Sequence, residues 1–488
     1  MRKVKVRTLY LIAIIVGGLV GLATKSTYAM FTASAEIDNP ICMSANLTSE
    51  EETIETMEVV VTAGEKKIVP VTINNTSTNT VGYSVWYTSP SDEVEIGIKL
   101  SNSDSSNSTG TISSNGSKKV YVQIINNSSS SITITLGVIS NKTSNDMTLI
   151  PNTELDFSVN LVTYIKNLYT NASKTTTTVN SVTYNLASSV GLMNDRLGSM
   201  STGIDAGNIR YYGANPNNYI YFNCSDYSNQ SSSTCETWRI IGVFDGKVKI
   251  MRGSQIGTYS WDTSDSSTNS GYGVNEWSQA DLMKLLNSGY DSESVGGSLY
   301  WNAKSGTCYN NKNNATTSCN FTSTGLKNDT TRNMIAETTY YTRGSYDSNI
   351  FVDAMYDVER VSGTVVNATP SRTTSWTGKV AVAYPSDYGY AADLSLCQKT
   401  LYDYDNSTCT ANNWMKNIIT NNSGNYGWLL TPDSGSAYFA WLVFSSGYVN
   451  YNLNAYRAYG VAPVLSLISE LDIGSGSGTD SDPYQLYV

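Results

Sequence analysis

The chain predicts two folded units, an all-β sandwich followed by an α+β unit stapled by short disulfides. Three observations carry this. Short β-rich runs separated by turn clusters fill residues 40–160. Beyond residue 211 the pattern changes to a hairpin, then helical stretches and long loops, then a Gly/Asn/Tyr-rich series of strands. Six of the seven cysteines lie in that second part, in three local pairs.

Residues 1–30 read as a signal peptide or N-terminal membrane anchor. Arg2, Lys3, Lys5 and Arg7 form a basic patch, and an uncharged, mostly apolar run follows from Leu9 to Ala23. A basic region, an apolar stretch of about 7–15 residues and then small residues make a secretory signal. The run is shorter than the roughly 20 apolar residues of a comfortable span. Cleavage after Ala29 or Ala35 releases the chain, whereas an uncleaved segment tethers it. Both alternatives place residues 36–488 outside the cytoplasm, with the basic flank inside. The stretch from Thr27 to Asn39, which contains Tyr28-Ala29-Met30-Phe31, resembles the start of camelysin and TasA-type surface and matrix proteins of Gram-positive bacteria. That resemblance implies cleavage near Ala29 or Met30 and a bacterial cell surface.

Composition narrows the partners. Charged residues make up 15% of the chain, against the usual quarter, and Ser, Thr, Asn and Gly replace them. A net charge of −10 disfavours binding to a phosphate backbone, so no nucleic-acid partner is expected. Acidic glycans and anionic lipids are poor partners for the chain as a whole, and membrane contact is assigned to the N-terminal segment alone. Histidine is absent. This removes Ser-His-Asp and Cys-His mechanisms and His-ligated zinc. Carboxylate pairs, Lys or a lone Cys remain as catalytic options. No catalytic residue, metal or cofactor is assigned, and the expectation is a protein that is not an enzyme.

Cys224 pairs by proximity with Cys235, Cys308 with Cys319, and Cys397 with Cys409, each pair enclosing ten or eleven residues rich in Asn, Ser, Thr and Asp. Similar spacings in an exported chain argue for three hairpin-type disulfides. Each adds up to roughly 3 kcal/mol by restricting the unfolded chain. Cys42 stands apart, free or cross-linked to another chain.

Residues 31–160 are read as the sandwich. The runs at residues 57–62, 66–74, 81–89, 94–100, 118–126, 131–140 and 157–164 are β-rich, and Ile132-Thr133-Ile134-Thr135-Leu136 alternates cleanly. Such a series suggests an immunoglobulin-like sandwich. Residues 161–210 are read as a linker, with one amphipathic helical stretch at 161–169 and an exposed low-complexity run at 173–179. Residues 211–488 are the second unit. Asp245-Gly246 between two apolar runs is a strong hairpin signal. Ser278-Gln279-Ala280-Asp281 resembles a capping box that opens a helix through Leu282, Leu285 and Leu286. Asp329 is expected to cap a second helix. Trp414, Met415 and Ile418 share one face of a third, and strands return at 426–430, 440–444, 448–452 and 462–467.

The order of these elements, with Trp428-Leu429-Leu430-Thr431-Pro432 and Gly460-Val461-Ala462-Pro463-Val464-Leu465, resembles the C-type-lectin-like fold in its bacterial, formylglycine-generating-enzyme-like form. The related frame carries an arginine in each motif, and both are missing here. Formylglycine-generating activity is not implied, because it needs paired cysteines near the C-terminus and none lies beyond Cys409. Calcium-dependent sugar binding is not implied either, because the sugar-selecting triplets are absent. Asp472, Asp480 and Asp482 read as a solvated turn rather than a calcium site.

What the resemblance implies is a display surface. Trp428, Tyr438, Trp441, Tyr448, Asn450, Tyr451, Asn452, Asn454, Tyr456, Arg457 and Tyr459 are its candidate ligand-binding residues. Rigid aromatic rings add contact area at low entropy cost, and Asn supplies adaptable hydrogen bonds. Stacked rings with amides also suit neutral glycans. On alternating strands about half of such residues must point inward, and the whole chain is Tyr-rich, with 35 Tyr against 8 Phe. The leading expectation is an exported surface protein that binds an extracellular protein or neutral glycan. The alternative is a self-assembling subunit of a matrix fibre or pilus. An extracellular hydrolase built on Asp387 with Asp403 or Asp405 ranks third.

Overall fold

The computed structural model describes residues 28–31, 43–47, 54–63, 65–99, 107–140, 148–155, 159–195, 207–264, 271–360, 373–421 and 425–487. The basic patch, the apolar run and Cys42 lie outside the described residues. Among those described, no helix is long and apolar enough to cross a membrane. Strand makes up 41% and helix 14% of the described residues, so β-sheet sets the architecture of both parts. The chain divides into two compact units, Met1–Phe157 and Ser158–Val488.

The first unit packs two sheets face to face. One holds Ile54–Val61, Ile132–Ser140 and Val81–Thr88 at its centre, with Tyr28–Phe31, Thr148–Leu149 and Thr109–Ile112 as short additions. The other runs Met43–Leu47, Lys66–Asn75, Ser117–Asn126, Val94–Ile98. Alternation drives the packing, since every second side chain of a strand faces one side. Val69, Val71 and Ile73 thus meet Val59, Val61, Ile134 and Leu136 in one core. Two asparagines tie the sheets at their ends. The buried Asn75 amide donates to the Asn79, Ile112 and Ser113 carbonyls while its Oδ1 accepts from Ser77. Asn126 repeats this with the Val61, Thr62 and Ser130 carbonyls and Ser128. On the outer face Trp86 lies over Gly137, its partner across the strand pair. The Tyr28–Phe31 strand pairs in parallel with Ile54–Val61, so the expected cleavage point after Ala29 falls inside it.

The second unit is built on a nine-stranded sheet. Its central hairpin is Glu236–Phe244 with Lys247–Arg252, turning at Asp245 and Gly246, both with positive φ. This matches the tight turn that the right-handed twist of a hairpin favours. A five-stranded sheet runs Thr258–Ser260, Ala458–Gly460, Gly427–Pro432, Phe439–Val443, Val449–Asn454. Trp261 joins the core edge-to-face with Trp277 at 5.2 Å and with Trp428 at 5.8 Å. The three cysteine pairs form as expected, Cys224–Cys235, Cys308–Cys319 and Cys397–Cys409.

Several expectations change. The stretch 161–210 is no linker where it is described: helix Leu161–Asn171 and strands Thr175–Val179, Val182–Ala187, Leu192–Asn194 and Ile209–Tyr211 belong to the second unit. Of the seventh sandwich strand expected at 157–164, residues 157 and 158 lie outside the described residues, Val159–Asn160 pairs instead with Asp472–Ser475, and Leu161 begins a helix. Asn160 caps the helix by accepting from the Thr163 N–H, which ends the extended backbone there. The low-complexity run forms a strand because it finds a hairpin partner at Val182–Ala187. Helix Asp281–Leu286 has no side-chain cap; Glu276, not Ser278, caps the preceding turn at Trp277–Gln279. Asn328, not Asp329, caps helix Asp329–Asn333.

Candidate functional site

The eleven residues expected at a binding surface separate into two sets. Trp428 and Trp441 are core residues, 2% and 0% exposed, and this corrects their assignment as ligand contacts. Their indole N–H groups donate to the Tyr259 and Ser345 carbonyls at 2.9 Å. Both sit on strands that are buried on both faces, so neither side reaches water. The other nine lie at or near the surface. Asn452 and Arg457 are exposed, and Tyr438, Tyr448, Asn450, Tyr451, Asn454, Tyr456 and Tyr459 are half-buried.

Four of the nine join two aromatic groups, Tyr438 and Tyr456 in one and Tyr448 and Tyr459 in the other, whereas Tyr451 packs on Trp441. In the first, Tyr272 stacks on Tyr456 with centroids 5.9 Å apart and meets Tyr438 at 5.4 Å. Lys312 Nζ lies 4.6 Å from the Tyr272 centroid, and Tyr438 meets Phe439 at 4.6 Å. The Tyr456 N–H donates to the Tyr272 carbonyl, which holds the two rings in register. In the second group Tyr448 stacks on Phe444 at 4.2 Å and meets Tyr402 at 5.5 Å, and Tyr426 links Phe444 to Tyr459. Tyr272, Lys312 and Tyr402 were missed in sequence because they lie 46 residues or more from the strands they join.

Asp387 does not face Asp403 or Asp405 in a cleft. The latter two are exposed on a turn, whereas Asp387 is 1% exposed and bound to cations. Arg210 Nη1 lies 2.9 Å from Asp387 Oδ1, and Lys249 Nζ pairs with Asp387 Oδ2. Arg210 Nε pairs in turn with Asp195 at 2.5 Å. Beside them Arg360 pairs with Glu359 at 2.7 Å, and Glu359 accepts from the Ser386 N–H. Burial opposes each charge, and the partners decide the outcome. Burial pushes Lys249 down to about 8 despite Asp387. Burial also opposes the charge of Arg210, but Asp195 and Asp387 outweigh it and hold its pKa above the ordinary guanidinium value. Asp387 is held below the usual carboxylate range because Lys249, Arg210 and Arg360 outweigh its burial. The six charged residues are between 0% and 7% exposed. This cluster joins sheet to helix and offers no approach to a substrate. Its one sequence signal is a charge inside an apolar strand, as in Ile209-Arg210-Tyr211 and Val248-Lys249-Ile250.

A second acidic pair, Asp262 and Asp281, lies at the start of helix Asp281–Leu286. Asp281 Oδ2 accepts from the Thr263 N–H and hydroxyl at 2.8 and 2.9 Å. Burial, with the neighbouring Asp262 charge, pushes Asp281 up to about 6. Among the described residues no group of three or more acidic or cysteine side chains is arranged to hold a metal ion. Near the C-terminus Asp482 receives the Ser477 N–H in a tight turn.

No family model and no curated protein matches this chain. Among solved structures, it is matched to the Aeromonas hydrophila protein PliG, a periplasmic lysozyme inhibitor of g-type lysozyme. The two are 9% identical, the match covers 21% of this chain and 100% of PliG, and the TM-score is 0.13. At that level the likeness carries no argument about fold or function.

Proposed function

We propose that this chain is an exported surface protein, and that its second unit binds an extracellular protein or a neutral glycan through the tyrosine groups around Tyr438–Tyr459. In this reading the first unit is an immunoglobulin-like stalk, and the second is a C-type-lectin-like head. The N-terminal segment delivers the chain to a Gram-positive surface, as the camelysin and TasA-type resemblance implies. The observation that carries the reading is the Tyr272–Tyr456–Tyr438 stack, with rings half-exposed and held by backbone hydrogen bonds. Rings fixed before binding lose little freedom when a partner covers them. Three disulfides fit an oxidising compartment. Binding is favoured over catalysis because histidine is absent and Asp387 is spent on internal ion pairs.

The test is a glycan and surface-protein array probed with the exported chain and with a Tyr272→Ala, Tyr438→Ala, Tyr456→Ala variant. The expected result is a ligand that the parent retains and the variant loses. Equal retention by both would remove this surface as the site. Self-polymerisation of the parent without any array ligand would favour the fibre-subunit alternative.

A further inference from the structure

Four arginines of the second unit are buried: Arg210, Arg239, Arg252 and Arg360. Three of them have a carboxylate within 3.0 Å, namely Asp195 or Asp387, Glu236, and Glu359. Arg239 has neutral oxygens instead. Its Nε donates to Asn218 Oδ1, and its Nη2 donates to Asn215 Oδ1 at 3.1 Å and to the Pro216 carbonyl at 3.2 Å. The guanidinium lies 3.6 Å from the Tyr219 centroid and 5.0 Å from that of Trp414. It is therefore fixed in plane and position, and Nη1 is left uncommitted among the described residues.

Arg239 lines an open cleft of about 380 Å³, with Glu236, Thr237, Arg252, Ser254 and Asp480 among its other walls. Arg252 and Glu236 neutralise each other at 3.0 Å, and Arg252 Nη1 also donates to Ser254. The charge left over is that of Arg239, 6% exposed, facing the field of the exposed Asp480. Salt screens an exposed charge such as that of Asp480 more than a buried one such as that of Arg239. Burial pushes Arg239 down to about 10, the mark of a cation short of a partner.

We propose that this cleft binds a small monocarboxylate, of sugar-acid or dipeptide size, with its carboxylate on Arg239. The size follows from the volume, which lies at the lower end of the range for small-molecule sites. A single negative charge follows from the count, because Arg239 is the one cation of the lining without a carboxylate beside it and Asp480 would repel a second charge. Thr237 and Ser254 add hydroxyl groups to the lining of the same cleft. The chain's overall net charge of −10 disfavours polyanions, but it does not oppose one carboxylate at one buried cation. The cleft shares no residue with the tyrosine groups, so either site stands if the other fails.

The experiment is calorimetric titration of the exported chain with D-glucuronate and with N-acetyl-alanyl-alanine. The methyl ester of the first and the amide of the second serve as neutral controls. Either carboxylate should bind while its neutral control does not, and the probe that binds identifies the source. Arg239→Gln should weaken binding about tenfold or more, roughly the loss of one charge-assisted hydrogen bond. Asp480→Asn, an exposed change that leaves the fold intact, should tighten it. No binding of either acid, equal binding of acid and neutral control, or an unchanged affinity in Asp480→Asn would each overturn the proposal. If Arg239→Gln fails to fold, the Asp480→Asn arm and the neutral controls still decide it.

Discussion

Arg210 and Asp387, 177 residues apart in the chain, meet at 2.9 Å inside the second unit with almost no exposure to water. Asp387 also holds Lys249, so one carboxylate neutralises two cations on strands of the nine-stranded sheet that flank Glu236–Phe244 on either side. Removing one partner of a buried ion pair leaves an uncompensated charge, at a cost of roughly 3–5 kcal/mol. Asp387→Ala and Asp387→Asn should both lose stability on that scale. The measurement is urea unfolding followed by tryptophan fluorescence, which reports on the second unit because Trp86 is the one tryptophan outside it. A loss below about 1 kcal/mol in both variants would mean that the cluster relaxes or takes in water.

The acidic pair at Asp262 and Asp281 makes stability depend on pH. The folded-state pKa of Asp281 is raised to about 6 by burial, with Asp262 adding to it, while Thr263 and Lys284 pull it down. The folded chain therefore keeps a proton that the unfolded chain loses at a lower pH. Its contribution to stability is complete below about pH 4 and is lost as pH rises through about 6. Asp281→Asn imitates the protonated form at every pH. The variant should match the parent near pH 4 and be more stable near pH 7. Thermal melts across that window check this, and parallel curves would refute it.

Trp441 provides a test that separates core from contact surface. Its indole is enclosed and bonded to the Ser345 carbonyl. Trp441→Ala should cost about 3–5 kcal/mol of stability, as expected of a large cavity in a packed core. Binding per folded molecule should stay near the parent value at low temperature. If affinity falls while the melting curve stays unchanged, Trp441 belongs to the ligand surface after all.

In the first unit Gly137 should be irreplaceable. A Cβ there would sit 2.2 Å from Cε2 of Trp86. Either the ring or the strand must shift, and overpacking of this kind costs about 1–3 kcal/mol. Gly137→Ala should lower the melting temperature of the first unit. Gly137→Ala with Trp86→Leu should recover part of that loss, and a double variant no better than the single one would disprove the pairing.

The strands of the first unit were readable from residues such as Ile132-Thr133-Ile134-Thr135-Leu136 because alternation is a local property. The Asp245-Gly246 hairpin was readable for a similar reason, since positive φ at both turn residues is a demand on two neighbours. The three disulfides were readable because each closes a short loop. Local pattern misled where a distant partner decided the outcome. Thr175–Val179 looked like an exposed tether, yet it gains a hairpin partner and a place in a large sheet.

The candidate site follows the same division. By itself the sequence determined which residue types crowd into 438–459, that histidine chemistry is absent, and where the cysteines pair. Only the tertiary structure decided which way each side chain faces. It turned Trp428 and Trp441 inward, brought Tyr272 against Tyr456, and paired Asp387 with Arg210 and Lys249. It also left Arg239 as the one buried arginine of the second unit, among the described residues, without a carboxylate beside it. The physical reason is that burial and charge compensation depend on what the fold brings together across tens or hundreds of residues. Turn geometry, alternation and short-loop cross-links are settled within a few residues and can be read along the chain.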